Sequence, residues 1–344
     1  MTRKSTDRIV AFPKTGNVYT EQLYAEVERR GIPVVDGIWS AWLLNHLRRG
    51  DLIHIHWPSF LYFEPKSRLR TAFRLAKLAA FMAFAKLRRA TIVWTAHNLY
   101  PHEGGRGLLA HRVGRWIVVA FTDRVCVHGR SAGTIVTREL KVRPSRLRTG
   151  HHPNWIDCYP NTITRTESRR RLGLPEKEFL YLFIGRCRPY KGLEALIEAF
   201  PGAPQPARLL IAGQFSSPAY LEAVKSLASR TPGVDFAPRS IPDEEMQIYL
   251  NAADCVVLPY RDVLTSGAAM LALSFGRPVI APDLGCIRDH IDAQSGILYD
   301  AQEPSALASA LRQIRSHSFD SGAIIEHARQ FTWSSLAGLL HELP

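Results

Sequence analysis

The sequence lacks any apolar stretch as long as the roughly 20 residues that a membrane-spanning helix requires. Its basic N-terminal residues are not followed by the apolar segment that forms the centre of a signal peptide. The 5 cysteines never form a C-x-x-C pair, which argues against a zinc site and a disulfide framework. We therefore predict a cytoplasmic protein with reduced cysteine thiols.

Acidic residues are absent from residues 67–90, a segment that carries seven arginines and lysines. The eight residues between Lys77 and Lys86 are apolar, which is too few to cross a bilayer. A basic amphipathic helix of this kind can lie peripherally on an anionic membrane surface, whereas the simpler interpretation is a solvated helix that covers a sheet. The net charge of +13 agrees with an anionic partner. No nucleic-acid-binding motif is present, so nucleic acid is not expected as a partner.

A length of 344 residues suggests two domains at about 150 residues each. Short apolar segments alternate with amphipathic helical ones, which is typical of parallel sheets covered on both faces. The segments predicted as strands are 8–12, 51–57, 90–98 and 123–129, followed by 179–185, 207–213, 234–238, 254–260 and 277–282. The pattern predicts an α/β fold of two doubly wound domains, 1–155 and 156–330, that face each other across a cleft. Residues 331–344 are predicted to form the last helix, which in a fold of the kind that the motifs below resemble would pack back across the domains.

Basic residues follow the first strand of the second domain. In "FIGRCRPYKG", Gly185 ends the strand, and Arg186 and Lys191 come next. A glycine lets a ligand approach the backbone, while arginine and lysine bind phosphate oxygens. The alternative is an ordinary basic helix start, which the helix dipole disfavours. The segment therefore favours a phosphate site.

A second candidate phosphate site is in "LPYRDVLTSG", where Thr265, Ser266 and Gly267 come directly before a helix of small and apolar residues. Hydroxyls and free N–H groups at a helix start bind anions. The equally simple alternative is a helix N-cap without a ligand. Two such loops in one domain indicate a nucleotide diphosphate.

These motifs resemble a known family. G-R-x-x-P-Y-K-G at 185–192, L-P-Y-R at 258–261 and S-G…G-R-P-V-I-A-P at 266–282 resemble the donor-binding half of GT-B glycosyltransferases. In the first half, "NVYTEQLY" (17–24), "HIHWP" (54–58) and "TAHNLYPHE" (95–103) resemble glycosyltransferase family 94, the β-mannosyltransferases of xanthan assembly. The resemblance implies two Rossmann-like domains and a nucleotide sugar bound mainly by the second. It also places Tyr260 and Arg261 at the rim of the donor site.

The resemblance further implies inversion at the anomeric carbon. Many retaining relatives carry two glutamates eight positions apart before their G-x-P-V segment, and Val263 and Leu271 stand there in this chain. Inversion requires a base that takes the proton of the acceptor hydroxyl. Glu103 on the loop after the strand fits this role, and the neighbouring His102 would orient it or tune its pKa. An imidazole is the alternative base.

The remaining polar residues of the first half are expected to surround the reacting sugars. His97 either touches the donor or fixes the loop, and the neighbouring Asn98 either contacts the acceptor or fixes the same loop. Asn17, Tyr19 and His56 are expected to face the acceptor, although a histidine at a strand end is more often structural.

The substrates implied are a nucleotide sugar and a glycan acceptor. GDP-mannose is the expected donor, with a UDP-sugar next, and the acceptor is expected to be a lipid-diphosphate-linked oligosaccharide at the cytoplasmic membrane. No D-x-D triad occurs, so neither a metal nor another cofactor is expected. The alternatives are a retaining GT-B transferase that uses a UDP-sugar, a GT-B epimerase or phosphorylase, and a non-catalytic nucleotide- or glycan-binding module. The oligomeric state is left open.

Overall fold

The computed structural model describes residues 8–37, 46–101 and 108–341. It divides into two compact units, one of Met1–His151 with Thr332–Pro344 and one of His152–Phe331. The predicted catalytic residues His102 and Glu103 lie outside the described residues. Each unit is built around one six-stranded sheet in which all neighbouring strands are parallel.

The first unit begins with strands that are almost wholly buried, as sheets covered on both faces require. Its strands are β1 (Ile9–Phe12), β2 (Val34–Asp36), β3 (Leu52–Ile55), β4 (Thr91–Thr95), β5 (Arg124–His128) and β6 (Leu147–Gly150), in the order β2-β1-β3-β4-β5-β6. Its first helices are α1 (Val18–Arg29), α2 (Ser59–Tyr62), α3 (Arg68–Leu87), α4 (Leu109–Phe121) and α5 (Arg130–Leu140).

The second unit repeats the alternation of strand and helix. Its strands are β7 (Phe179–Ile184), β8 (Ala207–Ala212), β9 (Val234–Ala237), β10 (Cys255–Val257), β11 (Val279–Pro282) and β12 (Gly296–Tyr299), in the order β12-β11-β10-β7-β8-β9. Its helices are α6 (Arg165–Leu172), α7 (Leu193–Ala199), α8 (Pro218–Ala228), α9 (Met246–Ala252), α10 (Gly267–Ser274), α11 (Ala306–Ser316) and α12 (Ser321–Arg329). The α/β prediction of two doubly wound parallel sheets is confirmed.

The last helix, α13 (Trp333–His341), belongs to the first unit. The Arg30 side chain, just after α1, donates to the Ser334 hydroxyl at 2.6 Å. The predicted boundary at residue 155 also differs from the observed one between His151 and His152. The reason is that Asn154 N donates to the Phe331 carbonyl (2.7 Å) and Trp155 N to Ser274 Oγ (2.8 Å), both in the second unit.

Every strand predicted from the sequence is present, and the strands that the sequence did not reveal all lie at a sheet edge. β2 and β6 are the two edges of the first sheet, and β12 is one edge of the second. Their residues are mostly half-buried or exposed, since an edge strand has one neighbour. A short strand with few buried residues has no continuous apolar run, so its pattern resembles that of a loop.

Both sheets reverse their strand order once. The strands that follow β1 in the chain lie first on one side of it and then on the other, so the switch point of the first sheet is between β1 and β3. In the second sheet the switch point is between β7 and β10. In open α/β sheets, ligands bind outside the carboxyl ends of the strands at this switch point. The loops after β1, β3, β7 and β10 are therefore the positions where function is expected.

Candidate active site

The loop after β7 gives a ligand access to the backbone. Gly185 has a φ of 131°, and nothing lies within 4 Å of the place where a side chain would start. A Cβ on the neighbouring Gly213 would lie 1.8 Å from the Gly185 carbonyl oxygen, so both positions require glycine. The next residue, Arg186, is exposed and forms no ion pair with any residue in the described ranges.

Lys191 lies at the centre of this site. Its ammonium lies 3.7 Å from the centroid of the Tyr260 ring and 5.2 Å from that of Tyr190. Burial lowers the pKa of Lys191, and the neighbouring Tyr190 opposes that shift. Within the described part of the chain no carboxylate forms an ion pair with it. A desolvated cation without a counter-charge is costly, which suits a site that receives an anionic ligand.

The loop after β10 packs directly against the loop after β7. Arg261 N donates to the Tyr190 carbonyl at 2.9 Å, and a Cβ on Gly192 would lie 2.0 Å from the Pro259 carbonyl oxygen. Tyr260, predicted at the rim, is instead buried beneath Lys191. The guanidinium of Arg261 lies 3.4 Å from Glu194, so its charge already has a partner.

The start of α10 joins the same site through Ser266, whose hydroxyl lies 3.3 Å from the Tyr260 hydroxyl. Ser266 Oγ also accepts from Ala269 N at 3.2 Å, which is the N-cap geometry. Thr265 Oγ1 accepts from the Cys286 thiol at 3.3 Å. The Gly267 carbonyl accepts from the Trp155 indole at 2.9 Å. Tyr260 connects Ser266 to Lys191, whereas the hydrogen bonds of Thr265 and Gly267 to Cys286 and Trp155 serve the fold.

The strand ends of the first unit carry a different set of side chains. We call this set the histidine cluster, and its members are Tyr19, Tyr24, His54, His56, His97 and His128. His54 and His128 are in β3 and β5, while His56 and His97 directly follow β3 and β4. Parallel strands bring these positions together because their carboxyl ends meet at one edge of the sheet.

Hydrogen bonds connect most of the cluster. The Tyr24 hydroxyl lies 2.9 Å from His54 Nδ1 and 2.8 Å from His56 Nε2. His56 Nδ1 lies 3.0 Å from His97 Nε2. Trp57 stacks on the ring of His97 with the centroids 4.7 Å apart. The half-buried His97 is therefore held in one orientation by neighbours on two sides.

A second branch of the cluster starts from α1. The Tyr19 hydroxyl lies 3.0 Å from His128 Nε2, and the Tyr19 ring packs edge-on to His97 at 4.7 Å. The centroid of the Trp333 ring, in α13, lies 5.5 Å from that of the Tyr19 ring. Asn17 accepts from Tyr19 N at 2.9 Å and caps α1, while its side chain is exposed. Asn98 is half-buried on the loop after β4.

Burial favours the neutral forms of four members of this cluster, Tyr19, Tyr24, His54 and His56. Burial lowers the pKa of His54 to about 3. Burial, with smaller contributions from His54, His97 and His128, also lowers the pKa of His56. Burial raises the pKa of Tyr19 and Tyr24 well above the usual range. Neutral imidazoles and phenols both donate and accept hydrogen bonds, so this surface is suited to hydroxyl groups rather than phosphates.

Tyr24, Trp57 and His128 also belong to this site, although they are not among the residues predicted from the sequence. His128 had a detectable signal, since it ends its strand at the same level as His56 and His97. Val263 and Leu271, the positions where retaining relatives carry glutamates, are half-buried and buried. Among the described residues, no group of three or more His, Cys, Asp or Glu side chains is arranged to hold a metal ion.

Comparisons with known proteins agree with this arrangement. The family model for glycosyl transferases group 1 matches residues 178–317, which contain the Lys191 site. A D-inositol 3-phosphate glycosyltransferase of Corynebacterium glutamicum is 32% identical over 342 residues, covering 93% of this chain and 79% of the relative. The chain therefore belongs to the group 1 glycosyltransferases.

A second relative is similar in both units. The GDP-mannose:glycolipid 4-beta-D-mannosyltransferase of Xanthomonas campestris is 28% identical over 278 residues, covering 78% of this chain and 73% of the relative. Among solved structures, Anabaena HepE in complex with UDP superimposes with a TM-score of 0.74 at 15% identity, covering 98% of both chains. The fold is GT-B, and the protein is a glycosyltransferase.

Proposed function

We propose that the protein is an inverting, metal-independent mannosyltransferase that moves mannose from GDP-mannose to a lipid-linked oligosaccharide during polysaccharide assembly. The Xanthomonas relative, whose name contains both GDP-mannose and a glycolipid acceptor, supports this choice. Val263 and Leu271 support inversion, because neither side chain can take the place of the glutamates of retaining relatives.

The observation that carries the proposal is the desolvated ammonium of Lys191 at the switch point of the second sheet, which forms no ion pair with any described carboxylate. Together with the exposed guanidinium of Arg186, it would neutralise the charge that develops on the leaving diphosphate. Gly185 would let the diphosphate approach the backbone. Thr265, Ser266 and Gly267 would contact phosphate or sugar. With two cations at this point, the leaving group needs no metal ion for charge neutralisation.

In the proposed reaction, the acceptor hydroxyl oxygen attacks the anomeric carbon in line with the bond to the diphosphate. The new C–O bond forms as the old one breaks, and Glu103 takes the hydroxyl proton. His102 would orient Glu103. The half-buried His97 would bind a sugar hydroxyl, while the buried His56 and Tyr19 hold its ring in place.

Contact with a membrane surface is the second part of the proposal. In α3, Leu69 and Phe73 are 82% and 70% exposed and lie one helical turn apart. Arg68 and Arg70 next to them are also exposed. Basic and apolar side chains combined in this way suit the headgroup region of an anionic leaflet. None of the helices in the described ranges is long and apolar enough to span a bilayer.

A donor panel tests the proposed function. Purified enzyme is incubated with GDP-mannose, UDP-glucose and UDP-galactose, a lipid-diphosphate disaccharide and excess EDTA. We expect transfer from GDP-mannose alone, a β-linked product and full activity with EDTA. Activity that EDTA abolishes and that Mg²⁺ or Mn²⁺ restores would contradict the metal-independent mechanism.

A retaining transferase that uses a UDP-sugar is the second candidate. The UDP-glucose bound in a structure of Anabaena HepE, which shares the fold, favours this candidate. The same panel separates the two candidates. An α-linked product formed from a UDP-sugar would establish the second and exclude the first.

A further inference from the structure

The first unit contains an open cavity of about 450 Å³ beside α4. Its apolar wall consists of Leu109, Val113, Trp116, Val119 and Leu140. Trp116 and Leu109 are 70% and 69% exposed, so large apolar surfaces face solvent at this point. Exposed apolar surface next to a cavity is a common property of binding sites for apolar ligands.

Arg115 lies in the same cavity and is only 3% exposed. Its Nε and Nη1 atoms are buried, and neither has a hydrogen-bond partner among the described residues. The guanidinium lies 4.4 Å from the Trp94 ring and 5.9 Å from the Tyr100 ring, which supply cation–π contacts but accept no N–H···O bonds. Burial lowers the pKa of Arg115 to about 10, so it is still charged at neutral pH. A buried, charged group without an acceptor indicates that a ligand supplies one.

The charge around the cavity is positive. Arg112, exposed on α4, lines it together with Arg115 and forms no ion pair within the described residues. Glu139 is the acidic residue among the described residues that line the cavity. Its carboxylate lies 3.1 Å from the Arg138 guanidinium and is already paired. Two cations next to an apolar wall are complementary to a molecule with an anionic end and an apolar chain.

We propose that this cavity binds the lipid end of the acceptor, with the diphosphate at Arg115 and Arg112 and the chain along Val113 and Trp116. The proposal rests on the proposed function, because it assigns a place to the lipid-diphosphate acceptor. The expected ligand of the cavity is that lipid and not a phospholipid of the bilayer. Binding through a guanidinium pair and an apolar groove would not require the sugar portion of the acceptor.

The position of the cavity relative to the histidine cluster supports this assignment. Tyr100 lines the cavity and follows His97 by three residues on the loop after β4. Trp94, whose ring faces Arg115, donates its indole N–H to the His56 carbonyl at 3.3 Å. A lipid in the cavity would thus place its diphosphate next to the loop that begins at the cluster.

The test measures binding of farnesyl diphosphate, a soluble prenyl diphosphate, by tryptophan fluorescence and calorimetry without any sugar donor. We expect 1:1 binding that Trp116→Ala weakens about tenfold, since the large apolar contact is lost. Phe73→Ala is the matched control, since Phe73 is also 70% exposed and lies outside the cavity lining. Equal effects of the two substitutions would overturn the proposal.

Charge is tested at Arg115. Arg115→Met should weaken farnesyl diphosphate at least tenfold and leave farnesol binding unchanged, because farnesol has no anion. Arg115→Lys should recover part of the affinity and guards against a simple folding defect, which circular dichroism of each variant also monitors. Farnesol that binds as tightly as farnesyl diphosphate, or Arg115→Met with full affinity, would contradict the assignment.

Two further measurements locate the site and separate this proposal from the proposed function. Lys191→Ala should bind farnesyl diphosphate normally, whereas a loss there would move binding to the donor site. Short-chain phosphatidylglycerol should compete poorly, and strong competition would assign the cavity to membrane lipids instead.

If farnesyl diphosphate binds as expected but no donor is used, the proposed function fails and the cavity assignment stands. Transfer of mannose without binding of farnesyl diphosphate would support the proposed function and contradict the cavity assignment.

Discussion

The two sheets bear different chemistry at equivalent places. Each sheet reverses its order once, and in each the loops at that point carry the polar residues. In the first unit these are buried histidines and tyrosines, of which His54 has a pKa lowered to about 3. In the second they are Lys191 and Arg186, which form no ion pair with any described residue. The same topology therefore presents hydrogen-bonding groups in one unit and cations in the other.

The difference follows from how burial acts on each group. An imidazole with an ordinary pKa of about 6.5 is neutral at pH 7, and desolvation makes it more so. The ordinary pKa of a lysine is about four units higher, so burial, which lowers the pKa of Lys191, has to act much more strongly before a lysine loses its charge. Strand ends rich in histidine thus suit sugar hydroxyls, and strand ends with lysine and arginine suit phosphates.

The largest expected effect concerns the base in the first unit. Glu103→Gln should reduce transfer about 10²–10⁴-fold, the usual contribution of general base catalysis, while donor binding is unchanged. Single-turnover transfer and GDP titration measure the two quantities. His102→Ala should be milder if it orients Glu103. Near-normal transfer by Glu103→Gln, together with an inactive His97→Ala, would make an imidazole the base instead.

The second effect concerns the cations of the second unit. Lys191→Ala and Arg186→Ala should each weaken GDP binding and transfer about 10- to 150-fold, since charge-assisted hydrogen bonds contribute about 1.5–3 kcal/mol. Calorimetry with GDP and initial rates provide the measurement. Lys225→Ala, which changes an exposed lysine on α8, is the matched control. Wild-type affinity in both site variants would remove the diphosphate assignment.

A third effect tests the neutral state of the histidine cluster through the pH dependence of stability. Because the pKa of His54 falls from about 6.5 unfolded to about 3 folded, the unfolded chain binds more protons between these values. Stability is therefore lost as pH falls below 6.5, by roughly 1.4 kcal/mol per pH unit for this histidine. Urea unfolding at pH 7, 6 and 5 gives the slope.

His54→Gln should flatten this slope, even though the lost hydrogen bonds to Tyr24 and Thr95 lower stability at every pH. His317→Gln replaces an exposed histidine of the second unit and should leave the slope as it is. A slope that His54→Gln does not change would show that His54 is not held neutral by the fold.

The smallest effect concerns the surfaces of the two units. The large apolar side chains found exposed among the described residues all lie in the first unit. Arg68→Gln with Arg70→Gln should weaken binding to phosphatidylglycerol vesicles by about 1 kcal/mol per residue. Lys177→Gln with Arg230→Gln is the matched control, since both are exposed cations of the second unit that form no ion pair with any described residue. Equal losses in sedimentation with vesicles would mean that no particular face binds lipid.

Arg74 and Lys86 are unsuitable for that experiment, although they belong to the same basic segment. Arg74 lies 3.3 Å from Glu64, and Lys86 forms an ion pair with Asp123. Their substitution would change the packing of α3 as well as its surface charge. The basic side chains of this segment are therefore of two kinds: some stabilise the fold through ion pairs, and others face solvent.

The sequence alone was sufficient to identify the central strands, because a strand buried on both faces is a continuous apolar run. Lys191, Gly185 and Ser266 could also be found this way, since phosphate chemistry needs particular residue types at strand ends and helix starts. The edge strands β2, β6 and β12 could not be found, because one neighbour leaves their residues half-exposed.

Only the tertiary structure decided which of these residues meet. Tyr260 lies beneath Lys191, and His128 joins His97 and Tyr19, because parallel strands far apart in sequence end at one edge. Arg115 differs from most other arginines in being buried, and burial depends on the whole unit. The local sequence contains the residue types and the periodicity of the strands. Contact, desolvation and the resulting pKa arise from neighbours that no local pattern specifies.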